Sequence, residues 1–165
     1  MNWQPLTSQT DLDALQSLFG RFHDGCLRES YLWTGYSVSP NLSMSVSIAL
    51  DLRVRLLFQR QFANPSAIEL LFEQVTTFHL RPQPGSDNII MDATLLHHEG
   101  LFYWANEYCW SPENSDLDEV TWIAGKALSW RDASDWMGSE LRLGPGIETP
   151  SRAEAGPPSP DPGAS

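Results

Sequence analysis

Cysteine is scarce in this chain. Cys26 and Cys109 form no CxxC pair and stand alone, which excludes a disulfide-dense scaffold and a cysteine-rich zinc site. Both have apolar neighbours, so two free thiols acting as small core hydrophobes in a reducing compartment are expected. Lysine occurs once, at Lys126, and 10 basic residues face 21 acidic ones, for a net charge of −11. Such a chain is repelled by DNA, RNA and anionic membranes, and suits a basic protein partner or plain solubility. No apolar run approaches the ~20 residues of a membrane span. The opening Met1-Asn2-Trp3-Gln4-Pro5 lacks the basic and then apolar stretch of a secretion signal, so a cytoplasmic location is expected. GxSxG, P-loop, GxGxxG and kinase signatures are all missing, no internal repeat is visible, and no cofactor is expected.

What is present is a core-forming composition. Of 165 residues, 41% are hydrophobic and 11% aromatic, including seven Trp, which excludes general disorder. One domain is expected over residues 1–143. Residues 144–165 hold four Gly, six Pro and Ile147 as the one large aliphatic, and read as a disordered tail that cannot bury enough surface to offset its ordering entropy.

Thr10 to Gly20 predicts a short helix, with Thr10 as N-cap and Leu12, Leu15, Leu18 and Phe19 on one face. Period two then takes over. Apolar residues fill every even position from Leu42 to Phe58, which predicts strand with the even positions buried and Arg53 and Arg55 in water. Seventeen extended residues would overrun a compact domain, so a break is expected, with Asp51 the best breaker. Were Arg53 and Arg55 buried instead, they would need anionic partners and would be the first residues to examine for a site. Strands are also expected at Cys26–Thr34, around Ile68–Glu73, at Phe78 and Leu80 after a turn near Gln74-Val75, and at Val120–Trp130. A hairpin is expected from Ile89–His97 and Leu101–Tyr108, turning near Glu99-Gly100. Ser129 and Asp132 suggest a capping box into a second helix ending near Gly138. The expected fold class is α+β: a mainly antiparallel meander curling into a sandwich or partial barrel, with a short helix near each end.

Candidate chemistry is sparse. His23-Asp24 offers imidazole and carboxylate, but adjacent strand residues face opposite ways. His97-His98-Glu99 has no ligand spacing, so no metal is expected. Phe102, Tyr103, Trp104, Tyr108, Trp110 and Trp122 read as cross-strand core packing. The acidic set Glu107, Glu113, Asp116, Asp118 and Glu119 contains no intervening basic residue, and reads as a solvated loop or a docking surface for a basic partner.

Three stretches carry a resemblance: Phe22-His23-Asp24-Gly25-Cys26-Leu27-Arg28-Glu29, Leu56-Leu57-Phe58-Gln59-Arg60-Gln61-Phe62-Ala63-Asn64-Pro65 and Ile68-Glu69-Leu70-Leu71-Phe72-Glu73. There the chain resembles a group of small bacterial proteins of unknown function, over most of residues 19–135, and that likeness implies no activity or site. In size, acidity and β-rich layout it is also similar to the immunity proteins of bacterial toxin systems. The expectation is a non-catalytic, immunity-like interaction protein that binds a basic partner. Two alternatives stand beside it: a small enzyme or metal-binding protein using His23, Asp24, His97 or His98, and a structural homo-oligomer.

Overall fold

The computed structural model describes residues 2–46, 49–82, 88–113 and 117–142. The tail expected at 144–165, with Ile48 and Asp116, lies outside them. Strand β1 (Gln4–Leu6) leads into helix α1 (Gln9–Leu18) and a 3₁₀ turn at Gly20–Phe22. Then come β2 (Gly25–Trp33), β3 (Ser37–Val38), β4 (Met44–Ser45), β5 (Arg53–Arg60), β6 (Ala67–His79), β7 (Thr94–His98), β8 (Leu101–Ala105) and β9 (Trp122–Asp132).

Helix α1 is capped by Ser8, two residues before the expected Thr10. Asp11 N donates to Ser8 Oγ at 3.3 Å, and Asp11 Oδ2 accepts from Thr7 N at 2.8 Å and Ser8 N at 3.0 Å. This reciprocal box satisfies donors that the first turn leaves free. The same hydrogen bonds, led by that from Thr7 N, hold the Asp11 carboxyl below its ordinary range.

The strands form one large antiparallel sheet in the order β2-β5-β6-β9-β8-β7, with β1 also on β9, and a separate ribbon of β3 and β4. The expected α+β class and antiparallel sheet are there, and the large sheet is not closed into a barrel. Strand β9 inserts between β6 and β8, which breaks the meander order. Closure would require edge strands β2 and β7 to meet, but α1 occupies the β7 edge. Gln9 accepts from His97 N at 2.8 Å and donates to Leu95 O at 3.3 Å, while Gln16 Nε2 donates to Ala93 O at 2.6 Å. Two side chains on one helix face, two turns apart, thus satisfy backbone groups that an eighth strand would have taken.

The second helix is corrected as well. β9 runs through Asp132, so Ser129 and Asp132 pair with Leu71 and Ile68 in the ladder, and 133–142 continues as turns and bends. The turn expected near Gln74 is instead a register shift between Val75 and Thr77 inside an unbroken β6, with Gln74 at φ 51°. Glu99 and Gly100, at φ 50° and 76°, make the two-residue hairpin turn between β7 and β8.

The alternating run divides. Val54, Leu56 and Phe58 are fully buried as expected, but Leu42 is 83% exposed and Met44 and Val46 are each 66% exposed. The break spans the stretch between β4 and β5, where Asp51 Oδ2 accepts from Gly35 N at 2.9 Å. The main core lies between α1 and the even face of the sheet. Leu12, Leu15, Phe19 and Phe22 meet Leu56, Phe58, Ile68, Leu70, Phe72 and Trp104 there. Phe22, Phe58 and Trp104 pack ring against ring at 4.8–6.1 Å between centroids. A smaller cluster around Tyr103, Trp110, Val120 and Ala124 seals the opposite face of β8.

Candidate interaction surface

The acidic residues are only partly free. Glu107, Glu113, Asp118 and Glu119 are exposed, and Asp116 lies outside the described residues. Glu113 stands 3.5 Å from His98 Nε2 and Glu119 3.2 Å from Arg81 Nη2. Exposed pairs of this kind are worth little, but they consume two of the anions expected to meet a partner.

The histidines are dispersed. His23 and Asp24 lie in the turn before β2 rather than on it, so strand alternation does not separate them and Nδ1 stands 3.2 Å from Oδ2. His97 stacks on Phe102 at 4.4 Å, His98 turns to the other face toward Glu113, and His79 Nδ1 meets Val120 O at 2.7 Å. Among the described residues no group of three or more His, Cys, Asp or Glu is placed to hold a metal ion. Cys26 and Cys109 are exposed, against the expectation of core thiols. Phe102, Tyr103, Trp104 and Trp110 are core as expected, Trp122 is half-buried against them, and Tyr108 is exposed.

Arg53 is exposed as expected, but Arg55 is not in water: its side chain is 26% exposed and turned toward an anion, and it leads to the most charged locus in the fold, whose other members sequence reasoning missed. Glu69 sits mid-sheet on the odd face and is fully buried. Arg131 Nε binds one carboxylate oxygen and Arg142 Nη2 the other, with Arg55 Nε 3.8 Å away. Each guanidinium lies over indole: Arg131 over Trp3 at 4.6 Å, Arg55 between Trp3 and Trp33 at 5.8 and 5.7 Å, and Arg142 over Trp136 at 5.1 Å. Burial, reinforced for Arg55 by neighbouring Arg131, lowers the pKa of Arg55 and Arg142. Residues 133–142 cross this face. Arg142 N donates to Glu29 Oε1 at 2.8 Å, and Gln59 Nε2 to Trp136 O at 2.8 Å. The cluster fastens a C-terminal strap over the sheet. In sequence Glu69 reads as the water side of a strand. Only the register, which sets Leu57, Glu69 and Arg131 abreast, reveals the convergence.

The exposed apolar surface lies elsewhere. From Ser30 to Leu50 the sequence carries no charged residue. This stretch leaves the end of β2, forms the β3–β4 ribbon and returns to β5, pairing Ser37 with Ser45 and Val38 with Met44. Tyr31, Leu32, Tyr36, Val38, Leu42, Met44, Val46 and Leu50 are all exposed along it. Monomers rarely show contiguous apolar patches above a few hundred Å². Eight large exposed apolar side chains on one stretch of 20 residues exceed the scattered single exposures that an ordinary surface shows.

No family model, no curated protein and no solved structure matches the chain.

Proposed function

We propose that this is a non-catalytic, immunity-like interaction protein that grips a basic protein partner through its uncharged apolar arm. The observation that carries the reading is the exposure of eight large apolar side chains along residues 31–50. An arm without charge supplies contact area that loses no ion hydration on burial. The acidic chain, at −11, supplies attraction at a distance and speeds encounter with a basic surface. Within the acidic set, Glu107 and Asp118 have no ion pair among the described residues and contribute to that field unneutralised.

The test is crosslinking in the source cells, with the wild-type chain beside a Leu42→Asp, Met44→Asp variant. A basic polypeptide crosslinked at the arm is expected, lost in the variant, and associating more slowly as salt rises. A crosslink only to a second copy of the chain would establish the structural homo-oligomer instead. An arm that captures nothing in either form refutes the reading.

A further inference from the structure

We propose that the second half of β2 is a strand-addition site, where an extended, uncharged segment of the basic partner pairs with the backbone of Ser30 and Leu32. The proposal rests on the reading above, and adds main-chain recognition to the side-chain contacts of the arm.

The sheet has two edges, and they are finished differently. At β7, Gln9 and Gln16 take up backbone groups. At β2 the one ladder is with β5, and among the described residues no strand lies outside it. Three bonds fix which groups point outward. Gln61 N donates to Asp24 O at 3.2 Å across the ladder, whereas Gly25 O turns away and accepts from Ile90 N at 2.8 Å. On β5, Arg60 N donates to Ser66 O at 2.9 Å, so even-numbered β5 residues bond toward β6 and odd-numbered ones toward β2. The register sets Glu29, Tyr31 and Trp33 opposite Leu57, Arg55 and Arg53. Ser30 and Leu32 therefore aim their N–H and C=O groups away from the sheet, and none of the described residues meets them.

Such a row of groups is a template for another strand, and folded proteins usually blunt it. The blunting devices of β2 lie in its first half. Ile90 covers Gly25, a register shift separates Leu27 from Glu29, and Arg28 and Glu29 bring charge. From Ser30 onward there are none. Ser30 is exposed, Leu32 is 51% exposed, and the uncharged stretch that begins at Ser30 runs on through the arm. Edge and arm form one continuous surface.

Charge selects the occupant. At −11 the chain repels a second copy of itself and attracts a basic polypeptide. The ions beside the edge are already engaged: Arg28 with Ser139 O, Glu29 with Arg142 N and Arg53 with Glu73. A charged side chain pressed against them would lose hydration without gaining a counter-ion. The occupant is thus an apolar or hydroxylic strand carried by a basic body. Its alternate residues lie beside Leu32 on the core face of the sheet and beside Tyr31 on the other.

The probe is a capped peptide of alternating threonine and valine that ends in two lysines. One control copy ends in two glutamates, and another is N-methylated throughout. Each is titrated into the full-length chain at low salt, with backbone amides followed in ¹H–¹⁵N spectra and by exchange in D₂O. The lysine peptide is expected to shift Ser30 and Leu32 and to slow their exchange by about tenfold or more. The glutamate copy should bind about tenfold more weakly, and less so as salt rises. N-methylation removes the peptide's donors and should weaken binding by about tenfold or more. Leu32→Pro deletes an N–H that β5 does not use, so it should abolish binding without lowering the melting temperature. Should that variant fail to fold, the methylated peptide on the wild-type chain carries the test. Equal binding by the methylated copy, shifts confined to other residues, or no binding at millimolar peptide would overturn the proposal. So would protection of Ser30 and Leu32 that grows with protein concentration alone, which would give the edge to a second copy. In the source cells, a partner captured by Leu32→Pro as by wild type, but lost in Leu42→Asp, Met44→Asp, would refute strand addition and leave the proposed function standing. Peptide binding as expected, in a chain that captures no partner, would refute that function and uphold the edge site.

Discussion

Replacing Glu69 by alanine removes the carboxylate on which Arg131 and Arg142 converge, and leaves their guanidiniums under the strap without a counter-charge. Arg142 is 9% exposed and Glu69 is fully buried, so water cannot take over the lost bonds without opening the strap. Breaking a buried pair by removing one partner costs about 3–5 kcal/mol. A domain has roughly 5–15 kcal/mol of stability in all. At a urea slope of about 2 kcal/mol per molar, the unfolding midpoint should fall by about 1.5–2.5 M. Glu69→Gln, which keeps an acceptor but not the charge, should fall between wild type and alanine. The double variant Glu69→Ala, Arg142→Ala should cost less than the sum of its parts, with a coupling of about 0.5–3 kcal/mol. The measurement is a denaturant titration followed by tryptophan fluorescence, since Trp3 and Trp136 lie against the cluster. A shift below about 0.5 M for Glu69→Ala, the behaviour of an exposed ion pair, would show that the arginines are not held by this carboxylate.

Five further outcomes are expected. Phe58→Ala should cost about 3–5 kcal/mol in thermal or urea unfolding, whereas Leu42→Ala, on the exposed arm, should stay within roughly 0.5 kcal/mol. Arg53→Ala should cost no more than about 0.5–1 kcal/mol, because among the described residues its ion pair is an exposed one, with Glu73 at 3.3 Å. Arg55→Ala should cost about 1–2 kcal/mol through the loss of contact with two indoles. Deleting 143–165 should leave the melting curve within about 2 kcal/mol of wild type, and deletion from residue 136 should exceed that by removing Arg142 as well. The Asp11 carboxyl has a depressed folded pKa, so its capping contribution is present above the unfolded value and lost as pH falls through the folded one. The stability gap between wild type and Asp11→Asn should therefore close in strong acid, and a gap that persists there would assign the effect to shape rather than charge.

The sequence by itself determined the class of local structure. Leu12, Leu15 and Phe19 marked a helix face, and the Glu99-Gly100 pair marked a hairpin, because helix period and turn chemistry are local properties of a few neighbouring residues. The parity of Val54, Leu56 and Phe58 was legible for the same reason. The same parity misled at Leu42, Met44 and Val46, since alternation specifies a two-sided strand but not whether anything covers its apolar side. Tertiary structure alone decided the rest. The sheet stayed open because Gln9 and Gln16 reached the edge of β7. β9 extended through Asp132 because the ladder to Ile68 and Leu71 offered its backbone partners that a lone final helix could not match. Glu69 became the buried centre of a charged cluster because register and the returning strap set Arg131, Arg55 and Arg142 around it. These are contacts between residues up to 88 positions apart, and no window of neighbouring residues contains the free energy that selects them.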